Sequence, residues 1–371
     1  MRALISCKGK GKIAMTTRNT NRLSALQRLA RGLLLGTAAA LSLAGAASAA
    51  GELNVFNWGE YINPEVLKAF EAETGIKVNL STYSSNEEML AKVQGGTTGY
   101  DIVFPSVWMQ DIMAKLDLLE KTDINQYEGF KNIDPAFLRA KSDPQGEYCL
   151  PYAWGTVGIV YNKKVLGKDI TGWNDLLATV KEKGLKIGLL DDMREVISVG
   201  LILNGKDVNT TDPNDLAQAA ETVIAMKPVV SAFSYDTRPM VMAGELAAAH
   251  AFVGAMIDVF ANPDLEGYVI PEEGATMYQE DICVLKTSPN KDNAREFLEF
   301  YTQPEIVALN IAQQTNGTAN VPARTMTPPQ IAESKEINPP EDVMKRLQIF
   351  SDLGQAVRLY DRTWTKIKTA E

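Results

Sequence analysis

Between residues 53 and 104 the apolar positions alternate between the period of a strand and that of a helix. Residues 53–57 (Leu-Asn-Val-Phe-Asn) read as a strand. Asn63-Pro64-Glu65 then opens a helix, with Asn63 as N-cap, Pro64 at the first helical position and an acid in the first turn. Val66, Leu67 and Phe70 form its apolar stripe, Gly75 closes it, and 76–80 is a second strand. Ser85 and Glu88 form a capping box ahead of Met89, Leu90 and Val93; Gly95-Gly96 ends that helix, and 101–104 is a third strand. Strand–helix–strand–helix–strand predicts a parallel sheet covered by helices.

The pattern restarts downstream. Residues 156–161 are β-rich, 173–180 helical, 186–190 a strand and 193–203 a helix. Residues 249–252 form a buried strand running into Gly254, and 268–270 and 282–285 are further strands. Helices then dominate, at 292–301, 304–313, 341–350 and 363–368. No internal repeat or low-complexity linker separates the two series. The expected architecture is therefore two α/β lobes with a cleft between them and a chain that crosses more than once.

A length of 371 residues leaves room for two such lobes, and 45% apolar with 22% charged residues is a folded composition. Residues 1–50 stand apart, with eight Lys or Arg and no acid. Arg22, Arg28 and Arg31 lead into an apolar run over 32–43, and Ala47-Ser48-Ala49 supplies small residues at its end. This reads as a secretory signal over 1–49, cleaved near Ala49/Ala50, with Met15 as an alternative start. Of the 37 Lys and Arg, 29 remain outside it against 46 acids, a net charge of −17. A nucleic-acid partner is excluded on that balance, since no basic face offsets phosphate repulsion. The single histidine, His250, rules out sites built on two imidazoles and lies in an Ala-rich segment, which favours a buried structural role. Nothing in the sequence calls for a cofactor or a metal.

In open parallel sheets ligands bind beyond the carboxyl ends of the strands. Those ends carry Trp58, Gly59, Glu60 and Tyr61 after the first strand, and Pro105, Ser106, Val107 and Trp108 after the third. Asp191, Asp192 and Glu195 follow the strand at 186–190, with Arg194 the one nearby base. Aromatic faces and carboxylates together suit an ammonium ligand: rings attract a cation by roughly 0.5–2 kcal/mol each, and carboxylates accept its charge-assisted hydrogen bonds. Structural roles compete at each position. Asp192 and Glu195 have the spacing of a capping box, and Trp58 and Tyr61 also fit as core aromatics.

Several segments then resemble one family. Phe56-Asn57-Trp58-Gly59-Glu60-Tyr61-Ile62, Glu73-Thr74-Gly75-Ile76-Lys77-Val78, Tyr100-Asp101-Ile102-Val103-Phe104-Pro105-Ser106, Pro151-Tyr152-Ala153-Trp154-Gly155, Asp191-Asp192-Met193-Arg194-Glu195-Val196 and Ile270-Pro271-Glu272-Glu273-Gly274-Ala275 are similar, in order and spacing, to the putrescine/spermidine-binding periplasmic proteins of ABC importers. The tail Arg362-Thr363-Trp364-Thr365-Lys366-Ile367-Lys368 looks most like the putrescine branch. The resemblance covers 52–368 and implies a bilobal type II periplasmic-binding fold, monomeric, that closes on a small amine and docks on membrane permease subunits without catalysing a reaction. It implies lobe 1 from 51–153 and 283–335, lobe 2 from 154–282, and C-terminal helices over 336–371 packed on the lobes.

Carried over residue by residue, the resemblance assigns ligand contacts to Trp58, Glu60, Tyr61, Ser106, Trp108, Asp192, Glu195, Phe252, Tyr278 and Glu280. It departs at Gly59, where the family has a hydroxyl residue, at Ala255, where the putrescine branch has an Asp, and at Asn316, where a Tyr is expected. Asp258 and Asp281 are candidates to replace the lost acid. In bilobal type II proteins the crossing segments run side by side, which would let Cys149 and Cys283 bond across the hinge, with two free thiols as the alternative. The competing functional reading is a secreted enzyme using cleft carboxylates, with His250 as its base.

Overall fold

The computed structural model describes residues 51–95 and 99–370. The expected leader over 1–49 and the expected cleavage near Ala49/Ala50 lie outside the described residues. The strands are β1 (Glu52–Trp58), β2 (Lys77–Tyr83), β3 (Ile102–Val103), β4 (Cys149–Asn162), β5 (Ile187–Leu189), β6 (Val230–Phe233), β7 (Ala248–Phe252), β8 (Glu266–Val269), β9 (Ala275–Val284) and β10 (Leu347–Ile349). The longer helices are α1 (Pro64–Thr74), α2 (Asn86–Gln94), α3 (Val107–Lys115), α4 (Trp173–Lys183), α5 (Met193–Leu203), α6 (Pro213–Met226), α7 (Lys291–Tyr301), α8 (Pro304–Gln314) and α9 (Val357–Thr369).

One sheet runs through the molecule in the order β2-β1-β3-β9-β4-β7-β5-β6, with β8 beside β4 and β10 beside β9. Its ends are parallel, as the alternating pattern predicts: β2-β1-β3 on one side, β7-β5-β6 on the other. Its centre is antiparallel, because β4 and β9 cross between the halves side by side, from the Cys149–Cys283 pair to the Val157–Thr276 pair. Those two cysteines are disulfide-bonded with Cα atoms 4.5 Å apart, the spacing of a non-hydrogen-bonded antiparallel pair.

The apolar core falls into three clusters, of which the first reaches across the crossing strands to Val160, Ala249 and Tyr268 and the third holds Phe56, Tyr83 and Met89. Leu53, Val55, Phe70, Phe104, Tyr152 and Phe297 belong to the first, and Trp173, Leu176, Ile187, Val196, Leu216 and Val223 to the second. Tyr360 and Ile367 of α9 are buried in the second cluster, so the C-terminal helix packs on α5 and α6.

Local signals explain the helix starts. The Asn63 side chain accepts the Glu65 N–H at 3.0 Å, and Gly75 ends α1 with φ 76°, a left-handed conformation that glycine adopts without Cβ strain. Ser85 Oγ accepts the Glu88 N–H at 3.1 Å, but the Glu88 carboxylate reaches Ser84 N–H (2.9 Å) instead of closing the box on Ser85. The helix expected over 341–350 is corrected: only Glu341–Met344 is helical, and Leu347–Ile349 pairs in parallel with Ala275–Met277 of β9. Both crossing strands are longer than the sequence pattern suggests, since β4 starts at Cys149 and β9 at Ala275.

Candidate ligand-binding cleft

β9 links two groups of acids. Successive strand residues point to opposite faces, so Thr276, Tyr278 and Glu280 share one face and Met277, Gln279 and Asp281 the other. At one end the Tyr61 hydroxyl donates to Glu280 Oε2 at 2.8 Å and Ser106 Oγ donates to Oε1 at 3.1 Å. Asn86 fixes Ser106 from both sides: its Nδ2 donates to Ser106 Oγ (3.1 Å) and its Oδ1 accepts the Ser106 N–H (3.2 Å). Tyr61 arrives from the turn after β1, Ser106 from the N-cap of α3, and the strand is locked to that loop by the Asp281 N–H to Pro105 carbonyl bond (3.1 Å).

At the other end Thr276 Oγ1 donates to Glu195 Oε2 at 2.5 Å. Glu195 sits in the first turn of α5, whose N-cap Asp192 accepts the Glu195 N–H through Oδ1 (3.0 Å) and the Tyr235 hydroxyl through Oδ2 (3.0 Å). Asp192 therefore caps α5 with one oxygen and holds Tyr235 with the other. Between the two acid groups stand the rings. Tyr278 packs edge-on to Phe252 (centroids 5.4 Å, 76°) and its hydroxyl donates to Asn316 Oδ1 at 2.9 Å. Tyr235 lies parallel to Phe252 (6.5 Å, 7°).

Three of the remaining aromatic and acidic candidates are placed differently. Trp58 Nε1 donates to the Phe104 carbonyl (2.8 Å) and its ring leans on Tyr83 (4.8 Å), beside but not within the Glu280 group. Trp108 is half-buried against the cluster that holds Phe56 and Tyr83. Glu60 is exposed, with φ 54°, and makes no hydrogen bond or ion pair among the described residues.

Burial controls the electrostatics. Glu195 is 4% and Glu280 6% exposed. Desolvation pushes the Glu195 carboxyl up to about 8; the Asp192 charge adds to this, and the Thr276 hydroxyl and Arg194 oppose it. Desolvation likewise pushes Glu280 up to about 8 against the hydrogen bonds from Tyr61 and Ser106. Among the described residues, no Lys, Arg or His nitrogen lies in ion-pair range of Asp192, Glu195 or Glu280. Arg194 is turned to the C-terminal segment, donating to Asn209 Oδ1 (2.9 Å) over the Phe350 ring (4.2 Å). Asp191 is likewise drawn off, paired with Lys368 of α9 at 2.6 Å.

The architecture and the sequence agree on a family. The family model for bacterial extracellular solute-binding proteins matches residues 65–339. The chain belongs to that family. The spermidine/putrescine-binding periplasmic protein of Salmonella typhimurium is 34% identical over 350 residues, covering 92% of this chain and 99% of that one. The putrescine-binding periplasmic protein SpuD of Pseudomonas aeruginosa is 32% identical over 369 residues, covering 93% and 100%. Among solved structures, the spermidine/putrescine ABC transporter substrate-binding protein PotD of Streptococcus pneumoniae superposes with a TM-score of 0.78 at 32% identity, over 86% of this chain and 99% of that one.

Within this solute-binding protein the missing second-lobe acid is not replaced by either neighbour. Asp258 is bound by Arg238, whose Nε donates to its Oδ2 at 2.9 Å. Asp281 faces the reverse side of β9, accepting Gln279 Nε2 at 2.8 Å. His250 sits in β7, fully buried edge-on to Trp173, and burial depresses its imidazole to about 3, so the enzyme reading loses its base. Three residues outside the sequence expectation contact the candidates directly: Asn86 at Ser106, Tyr235 at Asp192 and Thr276 at Glu195. Tyr235 follows β6 as the other candidates follow their strands, so recognising β6 would have found it. Thr276 is four residues before Glu280 on the same strand face.

Proposed function

We propose that this protein captures a polyamine, of the putrescine or spermidine kind, and delivers it to the transmembrane subunits of an ABC importer. The observation that carries this reading is the pair of buried carboxyls, Glu195 and Glu280, held only by hydroxyl groups and without a cationic partner among the described residues. Each is an incomplete ion pair that an ammonium group would complete. The strand positions associated with them, Thr276 and Glu280, are four residues apart on one face, about 13 Å along a strand, a span nearer that of an extended triamine than of a diamine. Phe252, Tyr278 and Tyr235 would flank its methylenes, with Trp58 beside the Glu280 end, and Asp192 and Glu60 would contribute further negative charge.

The lobes of this reading are 51–153 with 283–335, and 154–282, with 336–371 packed on them. Ligand would shift the open–closed balance only through its preference for the closed form. The protein would act in the periplasm as a monomer after loss of the leader near Ala49/Ala50, and without catalytic turnover. Native mass spectrometry of protein released from its own periplasm tests the reading. A bound di- or triamine, unchanged on long incubation, is expected; a bound amino acid, sugar or anion would overturn it.

A further inference from the structure

The reverse face of the crossing strands has the opposite chemistry. Met277, Gln279 and Asp281 point away from the cleft, and Trp154 of β4, paired with Gln279, shares their face. Behind them is a cavity of about 360 Å³ walled by Phe137, Arg139, Trp154, Arg324 and Met344, with Asp134 also lining it. Arg324 is neutralised: its Nη2 donates to Asp134 Oδ2 at 3.0 Å. Arg139 is not. Its Nε donates to the Ala136 carbonyl (2.9 Å), its Nη1 meets only the weak acceptor Met277 Sδ (2.7 Å), and no carboxylate among the described residues lies in ion-pair range. Both guanidinium groups lie over the Phe137 ring, at 4.8 and 5.6 Å. The Trp154 indole N–H is buried and has no acceptor among the described residues.

The Arg139 guanidinium is half-buried and only partly compensated: Asp134 and Asp281 act on it from beyond ion-pair range, and its Nη groups meet no oxygen acceptor among the described residues. Its planar fork of donors matches a carboxylate in a way that a point cation does not. The rest of the lining is mostly apolar or aromatic, with Thr325 and Asn338 as its polar members. We infer that this cavity binds a small organic carboxylate, with the anionic head on Arg139 and the apolar body against Phe137, Trp154 and Met344. The site is independent of the amine reading, since it shares no residue with the cleft.

Benzoate titrated into the full protein, followed by the NMR signals of the Trp154 indole N–H and the Arg139 Nε–H, tests this. Saturable shifts in the millimolar range or below are expected. Arg139→Gln should weaken binding at least tenfold while its circular-dichroism melt matches wild type, and benzamide, of the same shape without charge, should bind at least tenfold more weakly than benzoate. Absence of a saturable shift, equal benzoate affinity in Arg139→Gln, or equal affinity for benzamide would overturn the site. Inorganic phosphate binding as tightly as benzoate would overturn the organic carboxylate as its ligand.

Discussion

The Tyr61 hydroxyl donates to Glu280 Oε2 at 2.8 Å, joining residues 219 positions apart in the chain. With Ser106 on the other oxygen, Glu280 is aimed by two neutral donors and keeps its charge-accepting capacity for a ligand. Glu280→Gln preserves the shape and removes the charge. Hydrogen bonds to charged groups contribute about 1.5–3 kcal/mol, so calorimetry should show amine binding weakened about 10- to 100-fold. The thermal melt of this variant should match wild type below about pH 4.5 and exceed it near neutrality, where ionisation of the wild-type carboxyl favours only the unfolded chain.

Ligand binding should release protons. Glu195 and Glu280 titrate at about 8 in the ligand-free protein, and an ammonium partner favours their ionised forms. Affinity should therefore rise from pH 6 to about pH 8, by at most about tenfold per pH unit for each acid, and level off above it. Titrations at pH 7 in phosphate and in Tris should give different apparent enthalpies, from which the protons released can be counted. Glu195→Gln should lower that count.

Stability should move the other way in the absence of ligand. The folded-state values, about 8, lie above the ordinary carboxyl value of 4.5, so between them the folded protein holds more protons than the unfolded chain. Stability is then highest below about pH 4.5 with respect to these two groups and is lost as pH rises towards 8. The urea midpoint should fall from pH 5 to pH 8. The Glu195→Gln/Glu280→Gln double variant should show a shallower fall, with a residual slope from Asp281, which burial raises to about 7.

The disulfide braces the crossing ladder, not the ligand. Cys149 and Cys283 are 134 positions apart, and removing a bond that closes a loop of this order costs about 2–5 kcal/mol. The Cys149→Ser/Cys283→Ser variant should melt several degrees lower and bind amine within about threefold of wild type. Equal melting of the two proteins would show that the bond contributes nothing to stability.

Much of this was readable from local signals. The α5 helix was predicted with its bounds because Asp192 is a strong cap and an apolar run follows it. β9 was recognised only near its C-terminal end, because Thr276, Gln279 and Glu280 interrupt its apolar pattern. Those polar residues are buried by tertiary structure, and two of them, Thr276 and Glu280, share one strand face. The sequence pattern predicts helix over Leu347–Ile349 because a three-residue apolar strand has no period of its own and depends on β9 as its partner. Asp192, Glu195 and Glu280 could be selected from sequence, whereas the pairing of Thr276 with Glu195 and of Tyr61 with Glu280 is fixed only by the fold.

Isothermal titration of the leaderless protein with putrescine and spermidine, beside Glu195→Ala, is the most direct test. Micromolar or tighter binding of at least one amine is predicted, falling at least tenfold in Glu195→Ala. Undiminished affinity in that variant, or no amine binding by the wild-type protein, would contradict the account.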